Sequence, residues 1–195
     1  MVRRTQAERS DATTADLITA GRYLFGRDGY AAASVDAVAA AAGVTKGAAY
    51  HHFPSKAALF RAVFADVQAG LAQTLEREAG AESDPWHGLL RGCRTFLECC
   101  LDPGFRRIVM LDGPSVLGWE EVRRIQRDTV LRVLVEGVRA ASAAGSDVDL
   151  TARSHLMFGA LCEAGMVLAR ADDPAGTLPV VAAEAERMLA ALTGR

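Results

Sequence analysis

Proline is scarce, with six residues in a chain of 195. Because proline removes a backbone donor and breaks helices, long stretches are left free to remain helical. Strand signals are missing too: no run of alternating β-branched residues is long enough to define one. The four cysteines, Cys93, Cys99, Cys100 and Cys162, form no CxxC pair and no spaced framework. That excludes a disulfide scaffold and predicts reduced, buried, small apolar side chains in a cytoplasmic protein. The adjacent Cys99-Cys100 pair could serve redox chemistry, but packing is the simpler use. No apolar run reaches the roughly 18 residues of a membrane span. The best stretch, Leu156 to Ala169, carries Glu163 in its middle, and Met1 to Gln6 is polar and leads into no signal core. Lysine is nearly absent, with Lys46 and Lys56 standing against twenty arginines.

Half of the residues are hydrophobic, 24% are charged and 37 are alanine, the strongest helix former. A chain of this length buries roughly 70% of its unfolded surface without staples. A net charge of −2 excludes a polycation that coats nucleic acid by bulk attraction. The charge is uneven, however: residues 1–60 hold seven Lys/Arg against five Asp/Glu, and 61–195 hold fifteen against nineteen. No GxSxG, phosphate loop, HExxH or paired helical carboxylates occur, which argues against an enzyme. The histidines show no i,i+4 pair beside a cysteine cluster, so no metal site and no cofactor is expected.

Apolar residues recur at spacings of three and four throughout. Leu17, Ile18, Gly21, Leu24 and Phe25 predict a helix ending near Asp28-Gly29. Ser34 caps a second helix that stops at Gly43. Thr45 caps a third, very short one ending before Pro54, and Ser55 a long fourth with Leu59, Phe60, Val63, Phe64, Val67, Leu71 and Leu75 facing inward. Gly80 to Pro85 is the clearest break. A stripe from Trp86 to Cys100 follows, then a short helix carrying Ile108, Val109 and Met110, and one long helix from Ser115 to Ala144 ended by Gly145-Ser146. Glu121, Arg123, Arg124, Arg127, Asp128 and Arg132 read as its solvated face. Two helices, about 149–171 and 178–193, complete an all-α fold of about nine helices without a sheet.

Val38-Ala39-Ala40-Ala41-Ala42-Gly43-Val44-Thr45-Lys46-Gly47 carries the most chemistry. Small alanines let two helices cross closely, Gly43 takes the turn, Val44 plugs the gap and Thr45 ties the amides of the next helix. A short helix with Lys46, Gly47, Ala48 and Tyr50 outward can enter a major groove. Together with Tyr50-His51-His52-Phe53-Pro54-Ser55-Lys56 and the preceding helix, this third of the chain resembles the DNA-binding domain of TetR/AcrR repressors. Met110 to Trp119 resembles the core of some members more weakly.

The resemblance implies a three-helix helix-turn-helix domain over 1–56 and a helical ligand-binding and dimerisation domain over 57–195. It places Lys46, Gly47 and Ala48 at base-edge positions, Tyr50 and His51 on backbone or thymine methyls, and Ser34, Thr45 and Lys56 at phosphates. Gly47 and Ala48 carry no donor, so direct readout rests mainly on Lys46, with DNA shape or water supplying the rest. Arg3, Arg4 and Arg9 form a groove-reaching arm or a disordered tail. The implied partners are a palindromic double-stranded operator, a second copy of the chain and an unknown, largely apolar small-molecule effector, with repression as the default output. Alternatives are a non-switching architectural DNA binder or an all-α enzyme.

The helix over 152–170 is apolar nearly all round, so it must be buried on more than one side. Phe158, Leu161, Met166, Val181, Ala185, Met188 and Leu192 are expected at a four-helix dimer contact. Trp86, Phe96, Cys100, Met110, Trp119, His155 and Phe158 fall on helices that surround the effector cavity in the family. The same residues equally suit plain core, and Glu98 and Glu163 suit either a ligand or a surface.

Overall fold

The computed structural model describes residues 5–142 and 149–193. Arg3, Arg4 and the helix stop expected at Gly145-Ser146 lie outside them. Among the described residues every regular element is helical. No helix there is long and apolar enough to cross a membrane.

The elements are α1 (Gln6–Ala32), α2 (Val35–Ala41), α3 (Lys46–His52), α4 (Lys56–Gly80), α5 (Pro85–Cys99), α6 (Pro103–Phe105), a π-helical segment (Arg106–Asp112), α7 (Gly113–Leu117), α8 (Trp119–Asp128), α9 (Val130–Ala141), α10 (Leu150–Arg170) and α11 (Pro174–Thr193). They are more numerous than the nine expected because the helix expected from Ser115 to Ala144 is broken twice and the short helix carrying Ile108, Val109 and Met110 is split into α6 and the π-helical segment. Gly118 takes φ 76° between α7 and α8, and Thr129 interrupts helical backbone between α8 and α9. Arg123 also departs from the solvated face. It is half-buried, with its guanidinium 5.2 Å from the centre of the Phe158 ring. The last helix starts at Pro174 rather than 178, because Asp173 caps it by accepting from the Gly176 amide at 3.0 Å.

The chain forms two compact units, one of Met1–Val67 with Pro103–Trp119, the other of Gln68–Asp102 with Glu120–Arg195. In the first, α1 begins on a capping box in which Thr5 and Glu8 satisfy each other's amides. Arg9 therefore sits in a helix, not in a loose tail. Gly29, at φ 82°, ends the regular turns of α1 where the sequence predicts. The core joins Leu17, Phe25, Val38, Leu59, Phe60, Val63 and Phe64, each fully buried. Burying one such side chain contributes about 1.5–3 kcal/mol. Phe60 meets Phe25 edge-on at 5.2 Å and Tyr30 at the same distance. Ile108, Val109 and Met110 are buried in this unit as well. Glycine makes their approach possible: a Cβ on Gly113 would lie 2.6 Å from a Phe64 ring carbon, and one on Gly26 would lie 3.1 Å from the Gly104 Cα. The Asp112 carboxylate accepts from the Tyr30 amide at 2.7 Å, fixing the chain just past Gly29.

In the second unit α5, α9, α10 and α11 pack on one another and on the end of α4. Leu89, Cys93, Phe96, Leu97, Leu131, Leu134, Val138, Met157, Phe158, Leu161 and Leu168 are buried. All four cysteines are free; Cys93 and Cys100 are buried and Cys99 and Cys162 partly so.

Candidate nucleic-acid interface and effector cavity

In the first unit, α2 and α3 are joined by a turn that the sequence dictates. The Gly43 and Val44 amides donate to Ala40 and Ala39 carbonyls at 3.1 and 3.0 Å, and Gly43 adopts φ 69°. Ser34 and Thr45 cap the two helices, their hydroxyl oxygens accepting from the Ala37 and Ala48 amides. Ala49 faces inward at 1% exposure, which turns Lys46, Gly47, Tyr50 and His51 to the opposite, exposed side of α3; Ala48 is half-buried. A Cβ on Gly47 would meet nothing within 4 Å, so backbone here is open to a large partner.

Lys46 is held in place. Its ammonium donates to Asp36 at 2.7 Å and lies 5.8 Å from the centre of the Tyr50 ring. The hydrogen bond to Asp36, and then its charge, raises the ammonium above the ordinary lysine range. Lys56 is placed differently from a free phosphate anchor: its ammonium donates to the Ala31 carbonyl at 3.1 Å and covers the Tyr30 ring at 4.5 Å. His52 pairs with the Thr14 hydroxyl at 3.0 Å and Phe53 is buried. The ring of Tyr30, which takes part in both the core and the Lys56 contact, escapes sequence reasoning because it lies just beyond the glycine that ends α1.

The second unit holds a half-open apolar cavity of about 50 Å³, lined by Leu75, Ala79, Gly88, Leu89, Gly92, Cys93, Phe96, Val130, Val133, Leu134, Gly137, Phe158 and Leu161. Apart from the Cys93 thiol, no lining side chain has a hydrogen-bonding group, and burial pushes that thiol up to about 12. Of the cavity residues expected from the sequence, Phe96 and Phe158 are in the wall. Trp119 is 63% exposed, His155 is exposed, Met110 belongs to the first unit, and Trp86 and Cys100 are outside the lining. The wall from α9 was missed because Val130, Val133, Leu134 and Gly137 lie in a predicted long helix read for its charged face alone.

The residues expected at a dimer contact divide as well. Phe158, Leu161 and Ala185 are buried within the unit, the first two as cavity wall. Met166, Val181 and Leu192 are half-buried, and Met188 is exposed. The large apolar residues that these two helices expose are Leu156 and Val167 of α10 and Val180 and Met188 of α11. Among the described residues no group of three or more His, Cys, Asp or Glu could hold a metal ion.

A capped two-helix reading head in one all-helical unit and an apolar cavity in another define a helix-turn-helix transcriptional regulator. Residues 17–63 match the family described as bacterial regulatory proteins, tetR family, and residues 86–192 match the Tetracyclin repressor-like C-terminal domain. The chain belongs to the TetR family of transcriptional regulators. The crystal structure of a TetR-family regulator from Pectobacterium atrosepticum is 32% identical, covering 98% of this chain and 99% of that one with a TM-score of 0.81. The Transposon Tn10 TetC protein of Escherichia coli is 27% identical over 125 residues, 64% of this chain; the match spans 63% of TetC. The fold is shared with RolR, solved in complex with resorcinol, at 24% identity and a TM-score of 0.65 over 94% of this chain and 96% of that one.

Proposed function

We propose that this regulator is a ligand-responsive repressor. In this reading 1–56 bind DNA, 57–195 bind an effector and dimerise, and the homodimer sits on a palindromic operator. The observation that carries the reading is the exposed Lys46–Gly47–Tyr50–His51 side of α3, held over buried Ala49 and oriented by Asp36. Lys46 takes the base-edge role beside Gly47 and Ala48. Tyr50 and His51 take backbone or methyl contacts. Ser34 and Thr45, whose oxygens already accept backbone amides, still have hydroxyl protons to give to phosphates. Lys56 serves this surface from behind, by fixing Ala31 and Tyr30.

Dimerisation is supported by the outward apolar residues Leu156, Val167, Val180 and Met188. Two recognition helices one DNA turn apart, about 34–36 Å, read a pseudo-palindrome that one short helix reads poorly. Effector binding is supported by the apolar cavity and by RolR's complex with resorcinol. α4 begins in the first unit and ends at the cavity wall, so it is the element through which occupancy reaches the reading head. Inverting a 1:99 population takes about 5.5 kcal/mol of differential effector affinity. Selection of random duplexes by the purified protein tests the reading: a two-fold symmetric motif with half-sites one turn apart is expected. Single-chain sedimentation with no oligonucleotide bound at low salt overturns it.

A further inference from the structure

Three glycines line the half-open cavity, and all three lie inside helices: Gly88 and Gly92 in α5 and Gly137 in α9. Glycine weakens a helix relative to alanine, so each calls for a reason. Two have a steric one. A Cβ on Gly88 would lie 2.8 Å from the Ala79 carbonyl oxygen of α4, and one on Gly137 would lie 3.2 Å from a Leu89 methyl. Gly92 has none, because a Cβ there would meet nothing within 4 Å. Gly70 and Gly159 are equally open, but neither lines the cavity.

Gly88 and Gly92 are about one turn apart on the same side of α5. The side of the helix that touches α4 at Gly88 therefore stands clear of every neighbour at Gly92, and that clearance is part of the cavity. The chemistry of the wall limits what can fill it. No lining residue is charged, and the Cys93 thiol is the one side-chain group there that can hydrogen-bond. A hydroxyl or carboxylate moved against such a wall gives up water and gains no partner. Size narrows the choice further. An apolar cavity of about 150 Å³ takes a benzene ring, whereas this one, at about 50 Å³ and open on one side, seats a slender chain end.

We infer that the cavity seats an unbranched alkyl end of the effector, with any polar group left at the open side, and that Gly92 is the residue that sets the room for that end. This deepens the effector reading above and rests on it. The helix gives up the stability of an alanine at 92 and keeps volume for the ligand instead. The hydroxyls of resorcinol, the molecule solved with RolR, would find no partner against this wall, so this chain selects a different class of molecule.

The test titrates hexan-1-ol, hexane-1,6-diol and resorcinol into the full-length protein and into Gly92→Leu by calorimetry. The two alcohols share a chain length and differ in whether a methyl end is available to bury. The native protein is expected to bind hexan-1-ol at least about tenfold more tightly than the diol or resorcinol, since either must bury a hydroxyl. Gly92→Leu fills the seat and is expected to lose at least about tenfold in hexan-1-ol affinity while still binding operator. Should Gly92→Leu fail to bind operator, Gly92→Ala decides: its single methyl is expected to weaken hexan-1-ol about threefold or more, and unchanged affinity overturns the proposal. Equal hexan-1-ol affinity in the native protein and an operator-binding Gly92→Leu overturns the role of Gly92. Diol or resorcinol bound as tightly as hexan-1-ol, or no binding of hexan-1-ol, overturns the alkyl seat and leaves the effector reading standing. Hexan-1-ol that binds as expected yet leaves operator affinity unchanged overturns the effector reading and leaves the seat.

Discussion

The two compact units differ at their centres, one filled and one holding a small apolar pocket. In the first, Gly113 lets helices approach until no Cβ fits and Gly26 until one fits only tightly, and an aromatic trio closes around Phe60. In the second, helices leave room inside: Gly92 lines the cavity, and a Cβ placed on it would touch nothing within 4 Å. Under the function proposed above, a DNA-reading helix pair must hold side chains to a fraction of an ångström against a rigid duplex, whereas a ligand site must leave volume unfilled. Glycine serves close approach at Gly113 in one region and at Gly88 in the other, where Gly92 beside it faces open space.

Four substitutions set that contrast at risk. Phe60→Ala, which hollows the dense unit, is expected to cost about 3–5 kcal/mol, measured by denaturant unfolding. A loss below about 1 kcal/mol would mean that the aromatic trio is loosely packed. Gly113→Ala forces a methyl into Phe64 and should destabilise by about 1–3 kcal/mol. Gly92→Ala is the mirror experiment: it should stabilise by about 0.5–1 kcal/mol through helix propensity and lost chain entropy. Opposite signs for the two glycine substitutions support the comparison, and like signs break it. Lys46→Ala, on the surface of the dense unit, should leave the melting temperature nearly unchanged. It should weaken operator binding by about tenfold or more and relax preference at one base position, seen by titration against single-base operator variants.

Cysteine chemistry gives the smallest effect. The Cys93 thiol, raised to about 12 by burial, stays protonated and shielded across neutral pH. Native protein at pH 8 should leave Cys93 unlabelled by a thiol reagent while unfolded protein labels fully. Prompt labelling of Cys93 in the native state would mean that the cavity wall opens readily.

The helix-turn-helix was legible because it is written in local signals. Ser34, Thr45 and Ser55 cap where their types predict, and Gly29 and Gly43 take positive φ where the chain must turn. The exposed side of α3 follows from one buried alanine and a 3.6-residue period. The second unit was legible only as helices. An all-round apolar α10 does not say which side meets its own unit, so Leu161 was expected only at the dimer contact and Phe158 at both contact and cavity; both are cavity wall, while Leu156 is 71% exposed. Trp119 and His155 were misplaced for the same reason: periodicity gives faces but not neighbours.

Composition and short-range spacing by themselves determined that this chain is helical, where its first helix ends and its second, third and fourth begin and end, and which residues α3 turns outward. Those outcomes depend on backbone dihedrals and caps within a few residues of one another. Only the tertiary structure decided that Pro103–Trp119 packs with α1, that glycine replaces side chains at those crossings, and that a glutamine on α4 is buried with its oxygen unpaired. Each of these is settled by residues dozens of positions apart competing for the same volume, and no local pattern records who wins.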